Sequence, residues 1–242
     1  MDKDVYLRLI KNQKSLWWFA ARRKIINKFI KMYLGNKTNY QLLDFGAGSG
    51  ANIQILNNYG NVDVYEKDKE ATLHLKKFFL NKSTIKIIDN VDNINFYDLI
   101  LLADVIEHFE NDKSLVEFLS RHLKPNGKLI VTVPAFQFLF SSYDIALHHY
   151  RRYSKSSLKK LFEKDFNILK LSYFNFFLFI PSCIVVLLMK ILNIKFARKI
   201  QTTPNFFLNK LLYLIFASES FFLRFLSFPF GISLLIVVER KK

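Results

Sequence analysis

Apolar positions along this chain fall into short continuous runs separated by stretches of helical period. Gln41 to Phe45 is a short apolar strand that runs straight into Gly46-Ala47-Gly48-Ser49-Gly50, and a helix to about Leu56 follows. Val62 to Tyr65 reads as a second strand, Lys69 to Leu80 as a helix, and Ile85 to Ile88 as a third strand. Leu99 to Ala103 is a fourth, a helix spans about Asp112 to His122, and a Pro125-Asn126-Gly127 turn leads into a strand from Lys128 to Val133. Strands alternating with helices at this spacing predict βαβ units and a parallel sheet. Beyond Pro134 the pattern loosens as far as Tyr153; Ser154 is a candidate N-cap for a helix over Lys155 to Glu163. Phe166 to Tyr173 and Ile232 to Val238 read as the last two strands, and about Val5 to Tyr33 reads as an N-terminal helix with a break near Asn12.

Two segments between the last strands break the alternation. Phe176 to Met189 is apolar apart from Ser182 and is interrupted by Pro181. It falls short of the roughly twenty residues a bilayer span needs. Asn205 to Leu226 is longer but carries Lys210, Glu219 and Arg224. If helical, it gathers Asn205, Asn209, Ser220 and Arg224 on one narrow stripe, and the apolar remainder demands burial against the core, a second subunit or lipid. The chain therefore divides into a helical lid (1–40), a core (41–174 and 231–242) and a hydrophobic helical insertion (175–230).

Charge sharpens that division. The net charge is +16, yet residues 41–169 hold 16 basic and 16 acidic side chains, while 1–40 and 170–242 each hold 10 basic and 2 acidic. The last segment also holds 13 of the 26 Phe residues. Basic flanks dense in aromatic and aliphatic side chains favour the anionic surface of a membrane over nucleic acid as partner. Cys183 is alone, so no internal disulfide forms, and the N-terminus shows no basic segment followed by an apolar one; the expectation is a cytoplasmic protein, peripheral at the inner face of the membrane.

A glycine-rich turn between a strand and a helix lets backbone N–H groups approach a ligand. On its own, Gly46-x-Gly48-x-Gly50-Ala51 also satisfies a loose dinucleotide pattern. Asp44, two residues earlier, is placed to accept hydrogen bonds at a cofactor's cationic end, and Glu66 ends the second strand, where it can hold two ribose hydroxyls. Asp89 and Asn90 follow the third strand, where an adenine would lie.

With those residues in view, Leu42-Leu43-Asp44-Phe45-Gly46-Ala47-Gly48-Ser49-Gly50 resembles the first motif of the class I S-adenosylmethionine-dependent methyltransferases. Asp98 to His108 resembles their fourth-strand motif, and Leu123 to Leu129 the turn into their fifth strand, with Asn126 where Gly is more usual. The resemblance covers about residues 40–173 and the last strand. It implies a doubly wound, Rossmann-like seven-stranded α/β sheet in the order 3-2-1-4-5-7-6 with an antiparallel last strand. It also implies S-adenosylmethionine as cofactor, held by Asp44, Gly46, Ala47, Gly48, Asn52, Glu66, Lys67, Asp89, Asn90, Ala103, Asp104 and His108. Trp17-Trp18-Phe19 with Arg22-Arg23, His148 to Tyr153, and Pro229 to Ser233 resemble a bacterial subgroup within that family.

Methyl transfer to a hydroxyl needs the acceptor aligned, water excluded and a proton removed. His149 and His148, with Asp144 to orient one of them, are the candidate base; Trp18, Arg22 and Arg152 are candidates for covering the acceptor or meeting a phosphate or carboxylate on it. A metal role for Glu107, His108 and His149 is weighed, but no metal is expected, because adjacent Glu107-His108 lacks the helical spacing of a strong ligand pair. The expected activity is O-methylation of a glycan, isoprenoid or lipid-linked acceptor. An NAD-linked oxidoreductase and a non-catalytic cofactor-binding membrane protein are the alternatives. The Asn/Asp-Pro-Pro-Tyr type of motif of base-amino methyltransferases is absent.

Overall fold

The computed structural model describes residues 13, 15–79, 81–91, 95–192 and 204–241. The start of the expected N-terminal helix, and Lys195, Arg198 and Lys199 of the insertion, lie outside them.

Helix α1 (Trp17–Leu34) precedes strand β1 (Tyr40–Phe45), helix α2 (Ile53–Asn57), β2 (Gly60–Tyr65), α3 (Lys69–Phe79), β3 (Ile85–Ile88) and β4 (Tyr97–Ala103). Then come α4 (Asp112–Arg121), β5 (Leu123–Pro134), α5 (Ser142–Ala146), α6 (Lys155–Phe162), β6 (Phe166–Phe174), α7 (Phe179–Ile191), α8 (Phe206–Phe222) and β7 (Ser233–Arg240). The strands form one sheet in the order β3-β2-β1-β4-β5-β7-β6. The first five run parallel, and β7 lies antiparallel between β5 and β6. Strands β1, β4 and β7 are buried along most of their length, as a sheet covered on both faces requires.

Three local details follow from residue chemistry. Register shifts between Tyr97 and Leu99, and the Pro125-Asn126-Gly127 turn sits within that irregularity; Asn126 adopts a φ of 61° and so fills, as Asn can, the left-handed position where glycine is more usual. Helix α6 begins at Ser154 with a reciprocal capping box to Ser157. Helix α1 has no side-chain cap of its own; its Trp17 N–H donates 2.9 Å to Asn209 Oδ1, and Asn209 Nδ2 donates 2.9 Å to Ser15 O.

That last contact brings a polar residue of α8 against the protein. Its buried side includes Glu219 and Ser220 beside Phe216 and Ala217, and half-buried Asn209 caps α1. Phe207, Leu211, Leu214, Phe221 and Phe225 form an exposed apolar stripe at heptad-like spacing. The expectation is burial against the core, a second subunit or lipid; within this chain one side is buried, where Asn209 and Glu219 accept the backbone N–H groups of Trp17 and Phe177. Glu219 is fully buried, accepts 3.1 Å from the Phe177 N–H, and is pushed up to about 7 by burial. Helix α7 has no buried residue at all. Among the described residues no helix is long and apolar enough to cross a membrane.

Candidate active site

A cavity of about 1090 Å³ opens beyond the carboxyl ends of β1, β2 and β4. The strand order reverses between β1 and β4, which is where doubly wound sheets bind their ligands. Gly46, Ala47, Gly48, Asn52, Glu66, Lys67, Ala103, Asp104 and His108 line one part of it. Asp144, His148, His149 and Arg152 line another, and α1 adds Trp17, Trp18 and Arg22.

The glycine loop is fixed by its neighbours. Gly46 and Ala47 N–H both donate to Tyr65 O (2.8 and 3.2 Å), and Gly48 N–H donates 2.7 Å to Glu66 Oε2. Glu66 Oε1 accepts 2.9 Å from Asp68 N–H. An ionised carboxylate has about four lone-pair sites, so Glu66 keeps capacity for hydroxyl donors. Asp44 lies buried beneath the loop with Oδ2 unpartnered. Burial, reinforced by Glu66 and opposed by Arg22, pushes its carboxyl up to about 7. An orphaned buried carboxyl oxygen next to an open glycine cradle fits a cofactor that brings a cationic centre.

Arg22 is the buried cation of α1. It pairs with Asp104 Oδ2, whose Oδ1 accepts 2.9 Å from Thr132 Oγ1, and Asp104 itself is held at a φ of 59°. Burial lowers Arg22 to about 10, and its Nε has no partner.

Across the cavity, Asp144 gathers five donors. It accepts from Ser141 N–H (2.9 Å) and Oγ (3.2 Å), His149 Nδ1 (3.0 Å), and Arg152 Nε and Nη2 (2.8 and 2.9 Å). Burial alone would raise this carboxyl, but the bonds from His149 and Arg152 hold it down to about 2. With Nδ1 committed to Asp144, His149 Nε2 is directed toward Glu107 Oε1, 4.0 Å away. Glu107 is fully buried with both carboxyl oxygens unpartnered, and burial pushes it up to about 8. The His108 ring lies edge-on to His149 with centroids 4.6 Å apart, and burial with the nearby His149 lowers it to about 4, so it is neutral.

Most of the residues singled out from sequence come together here, with three exceptions. Asp44 sits under the loop rather than on the cavity wall, and Asp89 and Asn90 are exposed and off it, with Asp89 paired to Lys76 at 2.6 Å. The tryptophans both line the cavity and pack: Trp17 and Trp18 lie 6.0 and 5.3 Å from the Phe216 ring of α8. No metal was expected, yet the fold brings donor atoms of Glu107, His108 and His149 within 4.8 Å of one another, a juxtaposition that depends on the α5 loop and not on sequence spacing. Sequence reasoning also missed that α7 supplies a wall: Leu178, Pro181, Ser182, Val185 and Val186 line the cavity. Pro181, breaking an apolar run, was the available signal.

The methyltransferase-domain family matches residues 18–171, and the chain belongs to it. With this sheet order it is a member of the class I S-adenosylmethionine-dependent methyltransferases, which sets aside the NAD-linked alternative. A ubiquinone biosynthesis O-methyltransferase of Rickettsia typhi (strain ATCC VR-144 / Wilmington) is 31% identical over 115 residues, 45% of this chain and 46% of that protein. The chain thus spans about half the length of the curated relatives it matches. Among solved structures, the plantazolicin methyltransferase BpumL, in complex with SAH, superposes with a TM-score of 0.54 at 14% identity, covering 99% of this chain and 86% of that one. The N-methyltransferase NodS of Bradyrhizobium japonicum WM9, also with SAH, gives a TM-score of 0.50 at 13% identity over 62% of this chain and 76% of its own. Both share the fold.

Proposed function

We propose that this protein is an S-adenosylmethionine-dependent O-methyltransferase that works against an anionic membrane surface on a glycan, isoprenoid or lipid-linked acceptor. The bound cofactor supplies an activated methyl group, and the protein holds and orients both reactants. Gly46, Ala47, Gly48, Asn52, Glu66, Lys67, Ala103, Asp104 and His108 would hold the cofactor, with the Asp44 carboxyl buried below it. His149 takes the acceptor's hydroxyl proton at Nε2, while Asp144 fixes its tautomer through Nδ1 and stabilises the imidazolium that forms. Residues 1–40 act as a lid through Trp18 and Arg22, and the name of the Rickettsia relative supports a hydroxyl acceptor.

The observation that carries the membrane reading is the exposed apolar stripe of α8. An exposed stripe of Phe207, Leu211, Leu214, Phe221 and Phe225, next to an α7 with no buried residue, is a large apolar surface for water to cover. The basic excess of residues 170–242 selects an anionic cover. Flotation with phosphatidylglycerol vesicles at low salt tests it, alongside transfer of a labelled methyl group into a bacterial lipid extract. Co-flotation and an organic-soluble labelled product are expected; protein remaining at the bottom of the gradient refutes the surface reading, and label in water-soluble products alone refutes the isoprenoid and lipid-linked acceptors.

A further inference from the structure

Helix α7 has two apolar faces in use at once. Pro181, Ser182, Val185 and Val186 line the cavity, while Ile180, Ile184, Leu187, Leu188 and Ile191 are exposed on the outside. Pro181 and Val185 line the cavity and are themselves exposed, so the cavity and the outer apolar surface meet at these two residues.

The helix is anchored near its ends. At its root, Glu219 accepts the Phe177 N–H and the Phe179 ring lies 5.6 Å from that of Phe136. At its other end, Lys190 Nζ donates 2.6 Å to Phe138 O. Between these points it contributes nothing to the core. Trp17 and Leu212 are cavity-lining apolar residues brought from α1 and α8. Arg152 at the polar end lines the same cavity as Pro181, Ser182, Val185 and Val186 of α7.

We infer a lateral portal into the cavity, bounded by Pro181, Val185 and Val186 of α7 and by Trp17 and Leu212. It admits the aliphatic tail of an amphiphilic acceptor directly from the lipid, while the hydroxyl-bearing head reaches His149. The inference deepens the proposed function and rests on it for the source of the ligand. A polar head with no tail would leave the apolar wall wet, whereas a chain lying along it removes that surface from water. No charged side chain belongs to the named boundary, so a hydrocarbon chain meets no desolvation cost there.

The test uses 10-bromo-1-decanol dissolved in buffer, which needs no membrane. Trp17 and Trp18 are the only tryptophans and both line the cavity, so bromine on a chain in the portal quenches their fluorescence. Saturable quenching is expected. In P181F/V185F, which fills the opening, the half-saturating concentration should rise about tenfold. In I184F, on the outer face of the same helix, it should stay unchanged. A V186F variant serves if the double variant does not fold, as judged by retention of S-adenosylhomocysteine binding. Non-saturable quenching in the wild type, or equal quenching with the opening filled, overturns the portal. Saturable quenching without vesicle flotation upholds the portal and refutes only the membrane reading.

Discussion

Gly46, Gly48 and Gly50 all hold left-handed backbone, with φ of 75°, 57° and 81°, but only one of them leaves room for a side chain. A Cβ on Gly46 would stand 2.8 and 2.9 Å from the two methyls of Val105; one on Gly50 would meet Leu75 Cδ2 at 2.6 Å and Ile53 Cδ1 at 2.9 Å. On Gly48 it would meet nothing within 4 Å, and Gly48 lines the cavity. Gly48→Ala therefore costs the left-handed backbone penalty alone, about 1–2 kcal/mol. For a chain of this size that lowers Tm by roughly 2–8 °C. Gly50→Ala adds overpacking of about 1–3 kcal/mol to the same penalty. Ligand binding reverses the order: the Gly48 methyl fills space a cofactor's backbone-hugging atoms must take and weakens S-adenosylhomocysteine by at least about tenfold, or ~1.4 kcal/mol. Thermal unfolding without ligand and calorimetric titration with S-adenosylhomocysteine measure the two effects on the same samples. Wild-type affinity in Gly48→Ala, or a loss of stability equal to that of Gly50→Ala, would refute the placement of the cofactor on this loop.

Other consequences are open to direct measurement. Asp44, Glu107 and Glu219 are held at about 7, about 8 and about 7, above the ordinary carboxylate range, so the native state keeps protons the unfolded chain releases and stability falls as pH rises from about 4.5 toward 8. Glu219→Gln keeps the acceptor for the Phe177 N–H and should remove about 3 kcal/mol of that decline; a Tm that varies with pH as in the wild type would count against a buried, protonated Glu219. Asp144→Asn strands Arg152, whose side chain is 9% exposed, and should destabilise by about 3–5 kcal/mol in urea unfolding at pH 7; a change under 1 kcal/mol would show that Arg152 finds another partner. Leu214→Glu with Phe221→Glu, at side chains 53% and 64% exposed, should leave Tm within a few degrees of wild type yet abolish vesicle flotation, and flotation that persists would move the lipid contact elsewhere.

Local chemistry was readable where a residue's role depends on its immediate neighbours in the chain. The alternation of apolar runs and helical periods is a property of each segment, so six of the seven strands stood within two residues of their observed limits, while β5 begins at Leu123, ahead of the expected Pro125-Asn126-Gly127 turn. Gly46, Gly48 and Glu66 announce themselves because a strand, a glycine turn and a strand-end carboxylate lie in fixed order. Ser154 declared the start of α6 for the same reason.

What required the folded chain are groups whose meaning comes from distant partners. Asp144 was a nearby acid in a loop until Ser141, His149 and Arg152 converged on it. Glu107 gained its character from burial that leaves both carboxyl oxygens without a hydrogen bond, which sequence spacing does not decide. Asn209 was one polar position on an apolar helix; its role is to cap a helix 192 residues earlier, so that it and Ser220 face the protein while Asn205 and Arg224 of the same stripe stay exposed. Amphipathic period says that a helix has two faces. Which face meets the protein is set by the unpaired backbone and side-chain groups it must satisfy, and those are assembled only in three dimensions.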